Sequence, residues 1–274
     1  GRAGARGCVV QGASRGIGLE LARRLAARGD AVFATCRRPD AADDLRALQA
    51  AWPDRVAVLR LDVAAPESVE AAAAEVSAHP LAAAAGGASG GCVDLLLNTA
   101  GVLQDVASGI IPERALARVD AAAVAAAFST NALGPLLVAR AFAPLLARSA
   151  AGASAASLPR GQACAARAVF YSARVGSIGD NASGGWYAYR GSKAALNQFV
   201  RCMAHELKRQ RVCCVAFHPG TVDTDLTRAF ARARAKYEVQ PVADAAQRHL
   251  DIFDTLTMAD TGSFLDWQRS QVPW

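Results

Sequence analysis

No stretch of about 18 apolar residues runs free of charge in this 274-residue chain, so a membrane-spanning helix is not expected. No Cys-x-x-Cys pair and no His-Glu-x-x-His motif occurs. The four histidines, His79, His205, His218 and His249, stand far apart, so no metal site is expected. The seven cysteines are odd in number and irregularly spaced, which gives no disulfide framework. Free, mostly buried thiols in a reducing compartment are the expectation. Charged residues are only 20% of the chain against 53% hydrophobic, a globular rather than a disordered balance. The net charge is +6, but the basic residues are scattered, often as Arg beside Ala on helical stretches. That pattern reads as a solvated surface, and no nucleic-acid partner is expected. No apolar leader precedes the first strand. A cytoplasmic location is expected, but the chain opens on Gly1 rather than Met, so an organelle location after removal of a targeting peptide stays open.

What is present is alternation. Short apolar runs at Gly7–Gln11, Ala31–Thr35, Val56–Leu61, Val93–Leu97, Ala168–Tyr171, Val212–Phe217 and Ser263–Leu265 predict strands. Helical patterns fall between them, near Gly16–Arg28, Ala41–Ala51, Pro66–Ser77, Pro112–Ala126, Ala127–Arg148, Tyr187–Arg209 and Val242–Leu256. Strand–helix alternation implies right-handed crossovers and a parallel sheet covered on both faces. The expected fold is a single doubly wound Rossmann-type α/β domain over residues 1–274, with a mostly parallel seven-stranded sheet. Two stretches rich in Ala, Gly and Ser, residues 81–91 and 149–166, read as surface loops inserted in that domain.

The first strand runs into Gly12-Ala13-Ser14-Arg15-Gly16-Ile17-Gly18 where a helix opens. Glycines allow a sharp turn and close approach of the backbone to a pyrophosphate. The helix N-terminus then offers unpaired N–H groups and the positive end of its dipole. A tight strand-to-helix turn needs glycines too, but the position between first strand and first helix favours a dinucleotide site. The second strand ends at Thr35-Cys36-Arg37-Arg38, where an NAD-preferring site usually places an acid. Arg15 and Arg37 instead suit a 2′-phosphate, which points to NADP(H). Arg37 and Arg38 as plain solvated residues before Pro39 are the competing reading.

Tyr189 and Lys193 stand four apart at the start of a helical pattern, hence on one helix face. A neighbouring ammonium favours phenolate and should lower the tyrosine pKa, making it a usable general acid or base. Alone, Tyr-x-x-x-Lys is common and carries little meaning.

With the glycine loop, Leu61-Asp62-Val63, Asn98-Thr99-Ala100-Gly101, Asn131 and Pro219-Gly220-Thr221-Val222-Asp223-Thr224, the chain resembles the short-chain dehydrogenase/reductase family. Ser172–Ile178, Gly184–Tyr187 and the ending from Gly262 resemble its C-factor and sniffer-like carbonyl reductase branch. The resemblance implies that Gly12, Ser14, Arg15, Gly16, Ile17 and Gly18 hold the cofactor. It implies that Asp62 bonds the adenine, that Val63 lines its pocket, and that Asn98, Ala100 and Gly101 form the cofactor wall. Lys193 would hold the nicotinamide ribose, and Pro219, Gly220, Val222 and Thr224 the carboxamide and phosphates. Asn131 would kink its helix and hold a relay water. Plain structural readings stay open: Asp62 as a turn residue, Asn131 as a satisfied helix amide, Pro219-Gly220 as a turn.

Two departures stand out. Gln11 replaces the usual threonine before the loop and is expected only to order it internally. The serine that contacts the substrate carbonyl in the family is replaced by Ala173, leaving Ser172, or else Ser177, as the substitute hydroxyl. The implied function is NADP(H)-dependent reduction of an aldehyde, ketone or quinone, or oxidation of the matching alcohol. Tyr189, Lys193, Ser172 and Asn131 would be the reacting set. The pocket would use the segment after Thr224, the Gly184–Trp186 loop and the C-terminal end, with Phe230, Tyr237 and Trp186 suggesting an apolar substrate. A catalytically weak NADP(H)-binding regulator is the alternative, and a homodimer the expected assembly.

Overall fold

The apolar run Gly7–Gln11 forms β1, buried on both faces as the central strand of a parallel sheet must be. The structure, a computed structural model, describes residues 5–86, 92–105, 110–152, 164, 166–228, 235 and 237–274. After β1 come α1 (Gly16–Ala27), β2 (Ala31–Cys36), α2 (Asp43–Ala51), β3 (Val56–Arg60), α3 (Pro66–Ala78) and α4 (Pro80–Gly86). The chain continues with β4 (Leu95–Asn98), α5 (Ala121–Phe128), α6 (Gly134–Gly152), β5 (Ala166–Tyr171) and α7 (Tyr187–Leu207). It closes with β6 (Val212–His218), β7 (Thr221–Val222), α8 (Asp225–Arg228), β8 (Val239–Gln240), α9 (Val242–Asp254) and β9 (Phe264–Asp266).

Seven strands form one sheet in the order β3-β2-β1-β4-β5-β6-β9, and every pairing is parallel. The expected doubly wound architecture is therefore what the chain adopts. Val9, Phe33, Leu96 and Phe170 face one apolar layer with Phe142 of α6 and Leu196 of α7. Val10, Val32, Val215 and Phe217 face the other, with Leu21 and Leu25 of α1 and Phe253 of α9. Strand order reverses between β1 and β4, which opens a crevice at the carboxyl ends of those strands.

Some boundaries differ from the sequence reading. Residues 80–86 are helix and α6 runs on to Gly152, so the alanine-rich stretches are partly helical rather than loops. Alanine is the best helix former and extended both elements. Residues 87–91, 153–163 and 165 lie outside the described residues, as does Phe230. The helix expected from Pro112 begins only at Ala121, where Asp120 accepts the Ala123 N–H at 2.8 Å and caps it. The two helices expected on either side of Ala127 are joined by a π-helical turn, Ser129–Leu133. Contrary to the expectation from the sequence, the joined helical stretch Ala121–Ser149 holds an 18-residue window, of mean hydropathy 1.6, that is long and apolar enough to cross a membrane. It packs on α3, α7 and the sheet, and the fully buried Asn131 sits within it. Six of the seven cysteines are buried, and Cys202 is exposed.

Candidate active site

The turn after β1 is built for close backbone approach. Gly12 has φ +90° and Gly16 φ +58°, the left-handed region that favours glycine. A Cβ on Gly18 would stand 2.3 Å from the Gly12 carbonyl, and one on Gly12 2.7 Å from Ala100 N. Gly12 N and Ala13 N both donate to Thr35 O, and Thr99 Oγ1 donates to Gln11 O at 2.7 Å. Gln11 Oε1 accepts from Ala100 N at 3.3 Å, so this residue orders the loop internally as expected. Arg15 occupies the N-cap of α1 without a side-chain capping bond. The first N–H groups of α1 thus gain no capping acceptor from Arg15.

Charge gathers around this cradle. Arg37 and Arg38 are exposed at the end of β2. Arg15 is exposed and lies 3.8 Å from the Asp225 carboxylate. Ser14 and Ile17 are half-buried in the turn. Asp62 shapes its own bend, accepting from Ala64 N while its N–H donates to Ser68 Oγ, both at 3.0 Å. The turn role is therefore real, whatever else the carboxylate meets. Val63 is buried and packs so tightly on α6 that a Cβ on Gly134 would lie 2.7 Å away. Asn98, at the end of β4 and in register with Gln11, is buried with neither amide atom bonded.

The second cluster lies on α7 and its neighbours. Lys193 is buried, donates to Tyr171 O at 2.7 Å, and its Nζ sits 5.9 Å from the Tyr189 ring centre. Burial pushes the Lys193 ammonium down to about 8. Tyr189 keeps some exposure, yet the protein around it pushes the phenol above its usual value. The expected lowering is thus not the dominant effect here: desolvation acts on both partners, and the ammonium is turned to a carbonyl. Gly101 closes the space, since a Cβ there would meet Asn131 Oδ1 and Lys193 Nζ at 3.4 Å each. Asn131 accepts from Val102 N at 2.7 Å and donates to Val102 O and to Ser192 Oγ. It lies in the π-helical turn Ser129–Leu133, and its amide is satisfied within the protein.

Neither candidate serine stands unpartnered. Ser172 Oγ donates to Asn197 Oδ1 at 2.6 Å, two turns along α7 from Tyr189. Ser177 Oγ accepts from Asp180 N at 3.0 Å. Ala173, between β5 and a short 3₁₀ turn, brings no hydroxyl.

The loop after β6 reaches the glycine cradle. A Cβ on Gly16 would stand 3.4 Å from Thr224 Cγ2. Pro219 and Gly220 precede it, Gly220 at φ +78°, and Val222 is buried in β7. Several contributors escaped the sequence reading. Glu113 accepts from Ala188 N with its carboxylate and from Trp186 N with its carbonyl, holding the entry to α7. Trp186, already expected in the pocket, has φ 51° at that entry and sets its ring 6.4 Å from that of Tyr189. Ser192 and Asn197 tie α7 to α5–α6 and to β5. Only their spacing of three or four from Tyr189 and Lys193 hinted at this.

A glycine cradle at the sheet's reversal point, with a phenol and an ammonium beside it, defines a dinucleotide-binding oxidoreductase fold. A family model described as short chain dehydrogenase matches residues 7–235, and the chain belongs to that family. The C-signal protein of Myxococcus xanthus is 38% identical over 184 residues, covering 67% of this chain and 94% of that protein. The 1-hydroxy-2-glutathionyl-2-methyl-3-butene dehydrogenase of Rhodococcus sp. (strain AD45) is 31% identical over 265 residues, 94% and 98% of the two chains. The NADPH-bound carbonyl reductase from chicken fatty liver has a TM-score of 0.81 at 29% identity, covering 99% of this chain and 100% of that one.

Proposed function

We propose that the chain is an NADP(H)-dependent carbonyl reductase, acting on an aldehyde, ketone or quinone or running the reverse alcohol oxidation. The observation that carries this is the Tyr189–Lys193 pair at the same carboxyl end of the sheet as the glycine cradle. The cradle fits a dinucleotide: its glycines leave no room for side chains, and the buried Asn98 amide has polar atoms to spare. The exposed Arg15 and Arg37 fit a 2′-phosphate, and the NADPH-bound chicken enzyme supports the same cofactor. Bound NADPH supplies the hydride for the carbonyl carbon. The protein's part is the proton. Tyr189, held protonated at neutral pH by its surroundings, gives its hydroxyl proton to the carbonyl oxygen. Lys193 holds positive charge beside the phenol and favours the phenolate that results. Asn131 and Ser192 keep α7 fixed against the π-helical turn between α5 and α6. The exposed Ile178, Tyr187, Leu226 and Tyr237 favour an apolar substrate.

The buried free thiols favour a reducing, cytoplasmic setting. The exposed Leu133, on the partly covered α5–α6 stretch, favours pairing with a second copy. The test is NADPH consumption measured against a panel of aldehydes, ketones and quinones. Tyr189→Phe should lower turnover at least about 100-fold while NADPH still binds. A second reading draws on Ala173: a site without the carbonyl-contacting hydroxyl suits a weakly turning-over regulator, and the C-signal likeness favours it. Tight NADPH binding with no turnover on any panel member would select that reading.

A further inference from the structure

His249, at the middle of α9, is fully buried among the rings of Tyr171, Phe217 and Phe253. A phenylalanine would fill that apolar site at less desolvation cost, so the imidazole's polar atoms need an account. Its Nε2 lies 3.2 Å from Pro219 O and its Nδ1 3.1 Å from the Tyr171 hydroxyl. A carbonyl only accepts, so Nε2 carries the hydrogen. Burial keeps the ring neutral, so Nδ1 accepts and the Tyr171 hydroxyl donates. Both the tautomer and the ring orientation are set by these partners.

Tyr171 is the last residue of β5 and works in two directions. Its side chain reaches His249 on one face of the sheet, and its carbonyl accepts from Lys193. The held carbonyl of Pro219 opens the bend that leads to Thr224, against the glycine cradle. No peptide bond among the described residues is cis. Fixing the Pro219 C=O toward α9 therefore aims the Gly220 N–H to the opposite side. The bend is gripped from outside as well, since a Cβ on Gly220 would lie 2.5 Å from Gln240 Nε2 and 2.8 Å from Trp267.

We infer that His249 is a positioning residue for the nucleotide: with Tyr171 it locks the Pro219–Gly220 peptide in its binding orientation and joins that loop to Lys193. The inference rests on the nucleotide-binding reading given above. His249→Phe keeps the ring packing and removes both bonds. His249→Gln places an amide nitrogen where Nε2 stood. Tyr171→Phe removes the bond that selects the tautomer.

Measured on the full chain, His249→Phe should weaken NADPH binding about 5- to 10-fold, the loss of one buried neutral hydrogen bond. A merely structural loss would leave NADPH affinity alone and lower only the melting temperature. His249→Gln should recover most of the affinity, and Tyr171→Phe should lose about threefold. NADPH affinity in His249→Phe within twofold of the parent overturns the inference. Should His249→Phe not fold, unchanged NADPH affinity in Tyr171→Phe overturns it equally. A parent chain that does not bind NADPH overturns the cofactor reading and this inference together. A parent that binds, beside variants that bind equally well, overturns this inference alone.

Discussion

Replacing Lys193 with Met should make the folded chain more stable while removing its activity. Burial pushes the ammonium from 10.5 down to about 8, so carrying its charge at pH 7 costs about 3 kcal/mol. Methionine fills a similar volume without charge. It leaves the Tyr171 carbonyl without the donor it has at 2.7 Å, a loss of about 1–2 kcal/mol. The net gain should be about 1–2 kcal/mol, read as a higher urea midpoint at unchanged slope. The sign of its pH dependence follows from linkage. Between about pH 8 and 10.5 the unfolded chain holds a proton on Lys193 that the folded chain has released. Parent stability from this group therefore rises with pH through that window, is fully present above it, and is lost as pH falls toward 8. The advantage of Lys193→Met should shrink across the same window. A variant less stable than the parent at pH 7, or a gap that does not change from pH 8 to 10.5, would refute the reasoning.

Two further predictions concern the chemistry. Ala173→Ser should raise kcat for carbonyl reduction about tenfold with little change in KM, because a hydroxyl there acts on charge that develops on the oxygen; steady-state kinetics on the best panel substrate checks it. Arg37→Glu should lower NADPH affinity about 10- to 100-fold and leave NADH affinity equal or better, since a carboxylate repels a 2′-phosphate and accepts from a 2′-hydroxyl; titration with both nucleotides checks it.

Legibility followed the range of the interactions involved. The glycine loop was readable because strand, turn and helix are contiguous, and φ values of +90° and +58° at Gly12 and Gly16 answer to local sterics. Tyr189 and Lys193 were readable because helical period puts them on one face. The helix expected from Pro112 starts instead at Ala121, because Asp120 supplies the capping acceptor, a bond that only the folded backbone shows. That the Ser172 hydroxyl is engaged is not legible in sequence, because nothing local shows that Asn197, 25 residues on, accepts its hydrogen.

By itself the sequence determined the alternating α/β order, the parallel sheet and the residues of the cradle, since periodicity and turn chemistry are properties of neighbouring residues. Tertiary structure alone decided the electrostatics and the partners. The direction of the Tyr189 and Lys193 shifts depends on how much water the packed protein excludes. The joining of Lys193, Tyr171, His249 and Pro219 depends on β5, β6, α7 and α9 meeting across the sheet, and residues 78 positions apart share a hydrogen bond only once that sheet has formed.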